Sequence, residues 1–283
     1  MIYNLENNTL KIIVKDLGAE LASFYDKLSG RQYLWQGKST IWSGQSPILF
    51  PIIGRLLDDK YRVNGKEYSL PKHGFARKKE FSLVEQTDYS LTFMLKDDEE
   101  TLEQYPWHFE LYVTFALEGR ALKVTHRVKN INDSVMYFSL GAHPAFNCKI
   151  GDYLEFDCEE RLISEKIDLV DSLRIDDTIP VLNRSRKIVI TEDIFNEDAL
   201  ILSGIKSENI TFKAADGEYY VKFNLGKAPY LGLWAKPGAP YVCIEPWCGV
   251  NDTYDKKADI SQKDAIVALM AGETFEFTWS AEI

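Results

Sequence analysis

Several features are scarce in this 283-residue chain, and each scarcity excludes something. Four cysteines, Cys148, Cys158, Cys243 and Cys248, are too few for a disulfide scaffold. They also lack the C-x2-C spacing of a four-thiolate zinc site. The N-terminus, Met1-Ile-Tyr-Asn-Leu-Glu-Asn-Asn8, has neither a basic start nor an apolar run. No secretory signal is therefore expected, and the thiols should be free in a reducing, cytoplasmic setting. Long apolar runs are missing too: the longest, Pro47 to Gly54, is interrupted by Pro51 and falls far short of a membrane span of ~18 residues. Basic charge is in deficit, with 33 Lys+Arg against 43 Asp+Glu and a net charge of −10. That balance argues against nucleic acid as a partner, because phosphates call for surplus cations along one face. Glycine and proline, at 17 and 10 residues, are too few for a collagenous or low-complexity chain.

What is present is apolar and alternating. Hydrophobic residues make up 45% of the chain, and a chain of this length buries roughly three quarters of its unfolded surface on folding. Phe109, Leu111, Val113, Phe115 and Leu117 alternate with more polar neighbours, and Leu122, Val124 and Val128 repeat the pattern against Lys123, Thr125, Arg127 and Lys129. A period of two marks half-buried antiparallel strands. Asn64-Gly65 and Asp216-Gly217 are hairpin signals between such runs. Further strands are expected near 9–15, 89–96, 135–141, 153–157, 199–202, 230–235, 241–245 and 274–280. Only Asp98 to Tyr105 looks helical, stopped by Pro106, so alternating βα units are disfavoured. The expectation is an all-β fold, one large antiparallel β-sandwich domain over residues 1–283 with few short helices.

Four histidines allow each to be weighed. His126 lies in phase with Leu122, Val124 and Val128, which predicts a core position; His108 is in phase with Glu110, which predicts a solvated one. His73, in Leu70-Pro-Lys-His-Gly-Phe-Ala-Arg77, and His143, in Leu140-Gly-Ala-His-Pro-Ala-Phe-Asn147, lie outside clean alternation and are candidates for chemistry. Pro144 and Pro246 restrict His143 and Glu245 to extended backbone and remove a donor at each place, which suggests a sheet margin open to a ligand. Arg55 ends the stiff apolar segment Ser46-Pro-Ile-Leu-Phe-Pro-Ile-Ile-Gly-Arg55, where it either contacts a ligand or covers core edge with its stem. Asp198, before Ala199-Leu-Ile-Leu202, is either a turn residue or a functional carboxylate.

Taken in order, these segments resemble the aldose 1-epimerase (galactose mutarotase-like) family, most closely its LacX-like bacterial branch. The matching pieces are the segment 46–55, Lys72-His-Gly-Phe-Ala-Arg77, Gly141-Ala-His-Pro-Ala-Phe-Asn147, Glu197-Asp-Ala-Leu-Ile-Leu202, Leu231-Gly-Leu-Trp234 and Ile244-Glu-Pro-Trp-Cys-Gly249. They span nearly the whole chain; the departure is Ser46, where many relatives carry Asn. The resemblance implies a β-sandwich of the galactose mutarotase-like supersandwich type that binds a sugar and interconverts its anomers without metal or organic cofactor. It implies Glu245 as general base, His143 as general acid, His73 and Arg55 as polar groups orienting the sugar, and Asp198 as a hydroxyl-binding carboxylate.

The chemistry suits these residue types. Opening a cyclic hemiacetal removes a proton from the C1 hydroxyl and gives one to the ring oxygen, so an acid and a base must meet at one carbon. Glutamate is ionised at neutral pH, and a nearby carboxylate would raise the imidazole pKa toward an effective acid. Three other readings stay open here. Lys60, Arg62, Lys66, Lys72, Arg77, Lys78 and Lys79 form a basic stretch that either is a solvated hairpin or admits a hexose 6-phosphate. A sugar-binding protein without turnover, with Trp234, Trp247, Phe75 or Phe146 stacking on the ring, would carry the same motifs. A metal isomerase with His73, His143 and Glu245 as ligands would suit an open site but lacks closely spaced histidines.

Overall fold

The computed structural model describes residues 1–255 and 259–283, and the alternating runs form strands. Phe109–Glu118 pairs antiparallel with Ala121–Asn130, and Phe109, Leu111, Val113, Phe115 and Leu117 are all buried. Asn64 and Gly65 have φ of 50° and 81°, the positive values a type I′ turn needs, and join Lys60–Val63 to Lys66–Ser69. Asp216-Gly217 behaves differently. Asn209–Lys213 and Tyr220–Asn224 are joined by the wider loop 214–219. Asp152 holds that loop open, accepting from the Ala215 N–H at 2.9 Å and the Tyr219 hydroxyl at 3.0 Å, so tertiary contacts override the local turn signal.

The expected helix is Glu99–Gln104, capped by the Asp98 side chain, which accepts from the Thr101 N–H at 2.7 Å. Among the described residues, no helix is long and apolar enough to cross a membrane. The run expected near 153–157 extends to Tyr153–Ile167, and its partner Arg174–Val189 was not expected. That partner is charged and mostly exposed, and its register slips at several bulges, so no clean alternation marks it. His126 is buried and stacks on Phe277, while His108 is exposed, as their phases require.

A fifteen-stranded antiparallel sheet runs from the edge strand Ile48–Leu49 through Leu140–Ala142, Tyr241–Cys248 and Tyr230–Trp234 to Ser82–Gln86 at the far edge. A four-stranded sheet from Ile2–Glu6 to Arg31–Gln32 packs beside it. The large sheet folds back over itself. Phe50, next to one edge, lies 5.1 Å from Phe109 and 5.7 Å from Phe138, and Tyr3 of the small sheet lies 5.1 Å from Phe93. The result is an antiparallel β-sandwich with a continuous aromatic-rich core. A smaller cluster of Leu49, Ile53, Ile167, Ala199, Ile201, Trp247 and Val250 sits apart from it, and its members Ile167, Ala199 and Trp247 reach the cleft described next.

Candidate active site

One interrupted strand pairing builds the site. Tyr241–Cys248 pairs with Ala145–Asn147 at its start and with Leu140–Ala142 at its end. The register is the same on both sides of the gap, Ala145 opposite Cys243 and Gly141 opposite Trp247, so His143 falls opposite Glu245. Pro144 and Pro246 remove two ladder donors at this place, and the pairing opens. The His143 Nε2 and Glu245 Oε1 atoms stand 3.2 Å apart, with both residues buried. Both prolines were expected at a sheet margin. They lie instead at a gap inside the sheet, because Tyr241–Cys248 also pairs along its other side with Tyr230–Trp234.

Trp247, two residues after Glu245 and on the same face, donates its indole N–H to Glu245 Oε2 at 3.2 Å. Glycine makes room for that indole on both flanks. A Cβ on Gly232 would meet Trp247 at 2.5 Å, and one on Gly141 at 2.9 Å.

A cleft of about 250 Å³ opens over the pair, and His73, Asp198, Lys72, Arg77, Asn251, Trp42 and Trp234 help to line it. His73 adopts φ +66°, a strained value for a side-chain-bearing residue, held by a reciprocal pair of bonds with Gly54. The His73 N–H donates to Gly54 O at 2.7 Å, and the Gly54 N–H donates to His73 Nδ1 at 3.0 Å. Nδ1 is thus an acceptor and the ring proton sits on Nε2. The His73 ring stands edge-on to His143 with centroids 6.0 Å apart. Asp198 also has positive φ, +69°, and its Oδ1 accepts from the Ala199 N–H at 2.8 Å.

Arg55, expected beside them, does not line this cleft. Its guanidinium forms a fork with Asp59 at 2.8 and 3.0 Å and lines a separate hollow with Asp171 and Tyr254. The positive φ of Gly54, +65°, turns the chain just before it. The cations at the cleft are Lys72 and Arg77 instead. Arg77 closes the same motif as His73 and donates to Lys72 O at 2.8 Å, so the motif held the signal. Trp42 has no such signal, because it lies in the irregular loop before Gly44. Its ring approaches His143 at 5.2 Å and Trp234 at 5.6 Å. Trp234 and Trp247 reach the cleft, whereas Phe75 and Phe146 belong to the core.

Burial dominates the electrostatics. It pushes Glu245 well above the usual carboxylate range, against the indole bond that favours the anion, and nearby Asp198 adds to the rise. Burial likewise pushes His143 down to about 3, and the charges of Arg77 and Lys72 act in the same direction. The expectation of an ionised glutamate raising its neighbour's pKa is thus reversed: burial favours the neutral pair, with the proton on the carboxyl. His73 is held neutral by burial and by the surrounding positive groups. Three buried polar atoms of cleft residues, Arg77 Nε, His143 Nδ1 and Asn251 Oδ1, have no hydrogen-bond partner among the described residues.

Comparison with known proteins finds relatives along the whole chain. The family model described as Aldose 1-epimerase matches residues 1–280. The chromosomally encoded protein LacX of Lactococcus lactis subsp. lactis is 32% identical, with 100% of this chain and 99% of that protein aligned. A galactose mutarotase related enzyme from Lactobacillus acidophilus superposes with a TM-score of 0.94 at 32% identity, covering 100% of this chain and 97% of that one. A galactose mutarotase-like protein from Lactobacillus casei gives 0.94 at 29% identity over 100% and 99% of the two chains. With its fold, its motifs in order and a match over nearly its whole length, the chain belongs to the aldose 1-epimerase family.

Proposed function

We propose that this chain is a cofactor-independent aldose 1-epimerase that interconverts the α and β anomers of an aldohexose. The observation that carries this reading is the 3.2 Å approach of His143 Nε2 to Glu245 Oε1 on the floor of an aromatic-walled cleft. The neutral pair and the ion pair hold the same number of protons, so a shift from Glu245 to His143 produces base and acid together. Sugar hydroxyls replace the missing hydration at that moment and offset the cost of separating charge. Glu245 then takes the C1 hydroxyl proton, His143 protonates the ring oxygen, and the bond between C1 and that oxygen breaks to give the open aldehyde. Rotation about C1–C2 and reclosure on the opposite face, with the proton transfers reversed, give the other anomer. His73 Nε2–H, Asp198, Arg77 and Asn251 supply donors and acceptors for the hydroxyls. The unpartnered atoms of Arg77 and Asn251 support a ligand rich in such groups.

Because burial lowers one group and raises the other, the pair keeps a single transferable proton over a wide pH range. A second proton arrives only toward about pH 3, so the acid limb lies well below the 6.5 of an ordinary imidazole. Anomer-exchange NMR on a panel of aldoses tests the proposal. Glu245→Gln should lose roughly 10²–10⁴-fold in exchange rate while still binding sugar. If wild-type protein binds aldoses but never exceeds spontaneous exchange, the chain is a sugar-binding protein and the enzymatic reading falls.

Lys72 and Arg77 at the cleft favour a second reading, a hexose 6-phosphate as substrate. Including glucose 6-phosphate and galactose 6-phosphate in the same panel decides it: no preference over the free sugars removes the phosphate reading.

A further inference from the structure

The acid–base chemistry leaves one buried group at the site unused. Cys243 precedes Glu245 by two residues on Tyr241–Cys248, so alternation puts its thiol on the face of the carboxylate. It is fully buried, and His143 and Glu245 are each more than nine-tenths buried. One ligand atom from each of the three lies within 4.8 Å of the other two. His143 Nε2 and Glu245 Oε1, at 3.2 Å, already have the spacing of neighbouring ligands on one ion. With Zn–S near 2.3 Å and Zn–N and Zn–O near 2.0–2.2 Å, adjacent donors in a tetrahedral site stand roughly 3.3–3.6 Å apart. Closure of about 1 Å by the thiol therefore completes three corners, and the cleft leaves the fourth to water.

We propose that His143, Cys243 and Glu245 form a binding site for a soft divalent cation, Zn²⁺ or a close analogue, whose occupancy inhibits the enzyme. The site itself rests on geometry, and its inhibitory consequence rests on the function proposed above.

Charge balance permits the loaded state. A thiolate, a carboxylate and a divalent ion sum to zero, so the desolvated floor carries no net charge when filled. The ion displaces the thiol proton and the carboxyl proton, both of which leave to solvent, and enters from the cleft that His143 and Glu245 line. The donor set also sets selectivity. Thiolate and imidazole favour zinc-like ions, whereas Mg²⁺ and Ca²⁺ require a larger shell of oxygens than three side chains provide. Inhibition follows because the lone pairs that exchange protons with the sugar are the ones the ion occupies.

The test uses the full chain with Co²⁺ as the spectroscopic probe and Zn²⁺ as the inhibitor. Wild-type protein should show a thiolate-to-cobalt charge-transfer band, removable by excess Zn²⁺ and unaffected by Mg²⁺. Cys243→Ala and Cys243→Ser should lose the band, and Zn²⁺ should inhibit each of them about 100-fold more weakly than wild type, relative to its own metal-free rate. Cys148→Ala, Cys158→Ala and Cys248→Ala should retain both effects. Absence of the band in wild type, or its persistence without Cys243, overturns the proposal. Should both Cys243 variants misfold, anomalous scattering from a zinc-soaked wild-type crystal decides: a peak among the three donors supports the site, and an empty map overturns it. A cobalt band in a protein with no anomer exchange would sink the enzymatic reading and leave the metal site standing.

Discussion

Trp247 shows how one residue can serve the wall and the chemistry of a site at once. Its ring lines the cleft, and its N–H fixes Glu245 Oε2 while His143 faces Oε1, so both oxygens of the carboxylate are oriented. A hydrogen bond to a charged group contributes about 1.5–3 kcal/mol, and this one favours the anion that burial opposes. Trp247→Phe keeps the aromatic wall and removes the donor. It should lower kcat about 10–100-fold with a small change in KM, and move the alkaline limb of the pH–rate profile upward as the Glu245 pKa rises further. An unchanged profile would show that the indole only packs. The sequence displayed Glu-Pro-Trp as a motif, but the bond between its first and last members depends on a side-chain rotamer that spacing cannot specify. The same limit applies to Arg55 and Arg77. Both are arginines beside glycine-containing turns, and the choice between them is made by Asp59, which captures Arg55 four residues on.

At the scale of elements, the site is a place where a ladder stops. Period two placed the strands that flank it, and the two prolines marked the gap. The matching register that sets His143 opposite Glu245 joins segments about a hundred residues apart, which no local pattern encodes. The flatness that lets the Trp247 indole lie across its neighbours comes from Gly232 and Gly141, directly opposite Glu245 and Trp247. Gly232 does not have positive φ, so its requirement is steric alone. Gly232→Ala drives a methyl to within 2.5 Å of the indole, and the ring must tilt or the strands must part. The expected cost is about 1–3 kcal/mol of unfolding free energy in denaturant melts. Because the tilt also withdraws the donor from Glu245, kcat should fall by more than any change in KM. A variant as stable and as active as wild type would show that the strands absorb the methyl without moving Trp247.

The whole molecule responds to pH through groups that the site does not contain. His126 lies on Ala121–Asn130, many strands from Tyr241–Cys248 in the large sheet, with its Nδ1 buried and without a hydrogen-bond partner among the described residues. Its core position was legible because it falls in phase with three aliphatic residues; burial then pushes its pKa down to about 4. In the unfolded chain the same imidazole titrates near 6.5. The unfolded state therefore binds the extra proton first as pH falls. The stability tied to this residue is complete above about 6.5 and declines through the window between 6.5 and 4. Between pH 7 and pH 5 the loss is about 2 kcal/mol for this one group. His126→Leu removes the titration while keeping an apolar side chain of similar size against Phe277. Its unfolding free energy should fall by about 2 kcal/mol less than that of wild type over the same interval. The pH–rate profile of folded protein should not move, since His126 belongs to a different part of the sheet from the reacting pair. Equal slopes for the two proteins would mean that the folded state accepts the proton at His126 and that acid sensitivity resides elsewhere. A shifted rate profile would mean that strain from the far strands reaches the cleft.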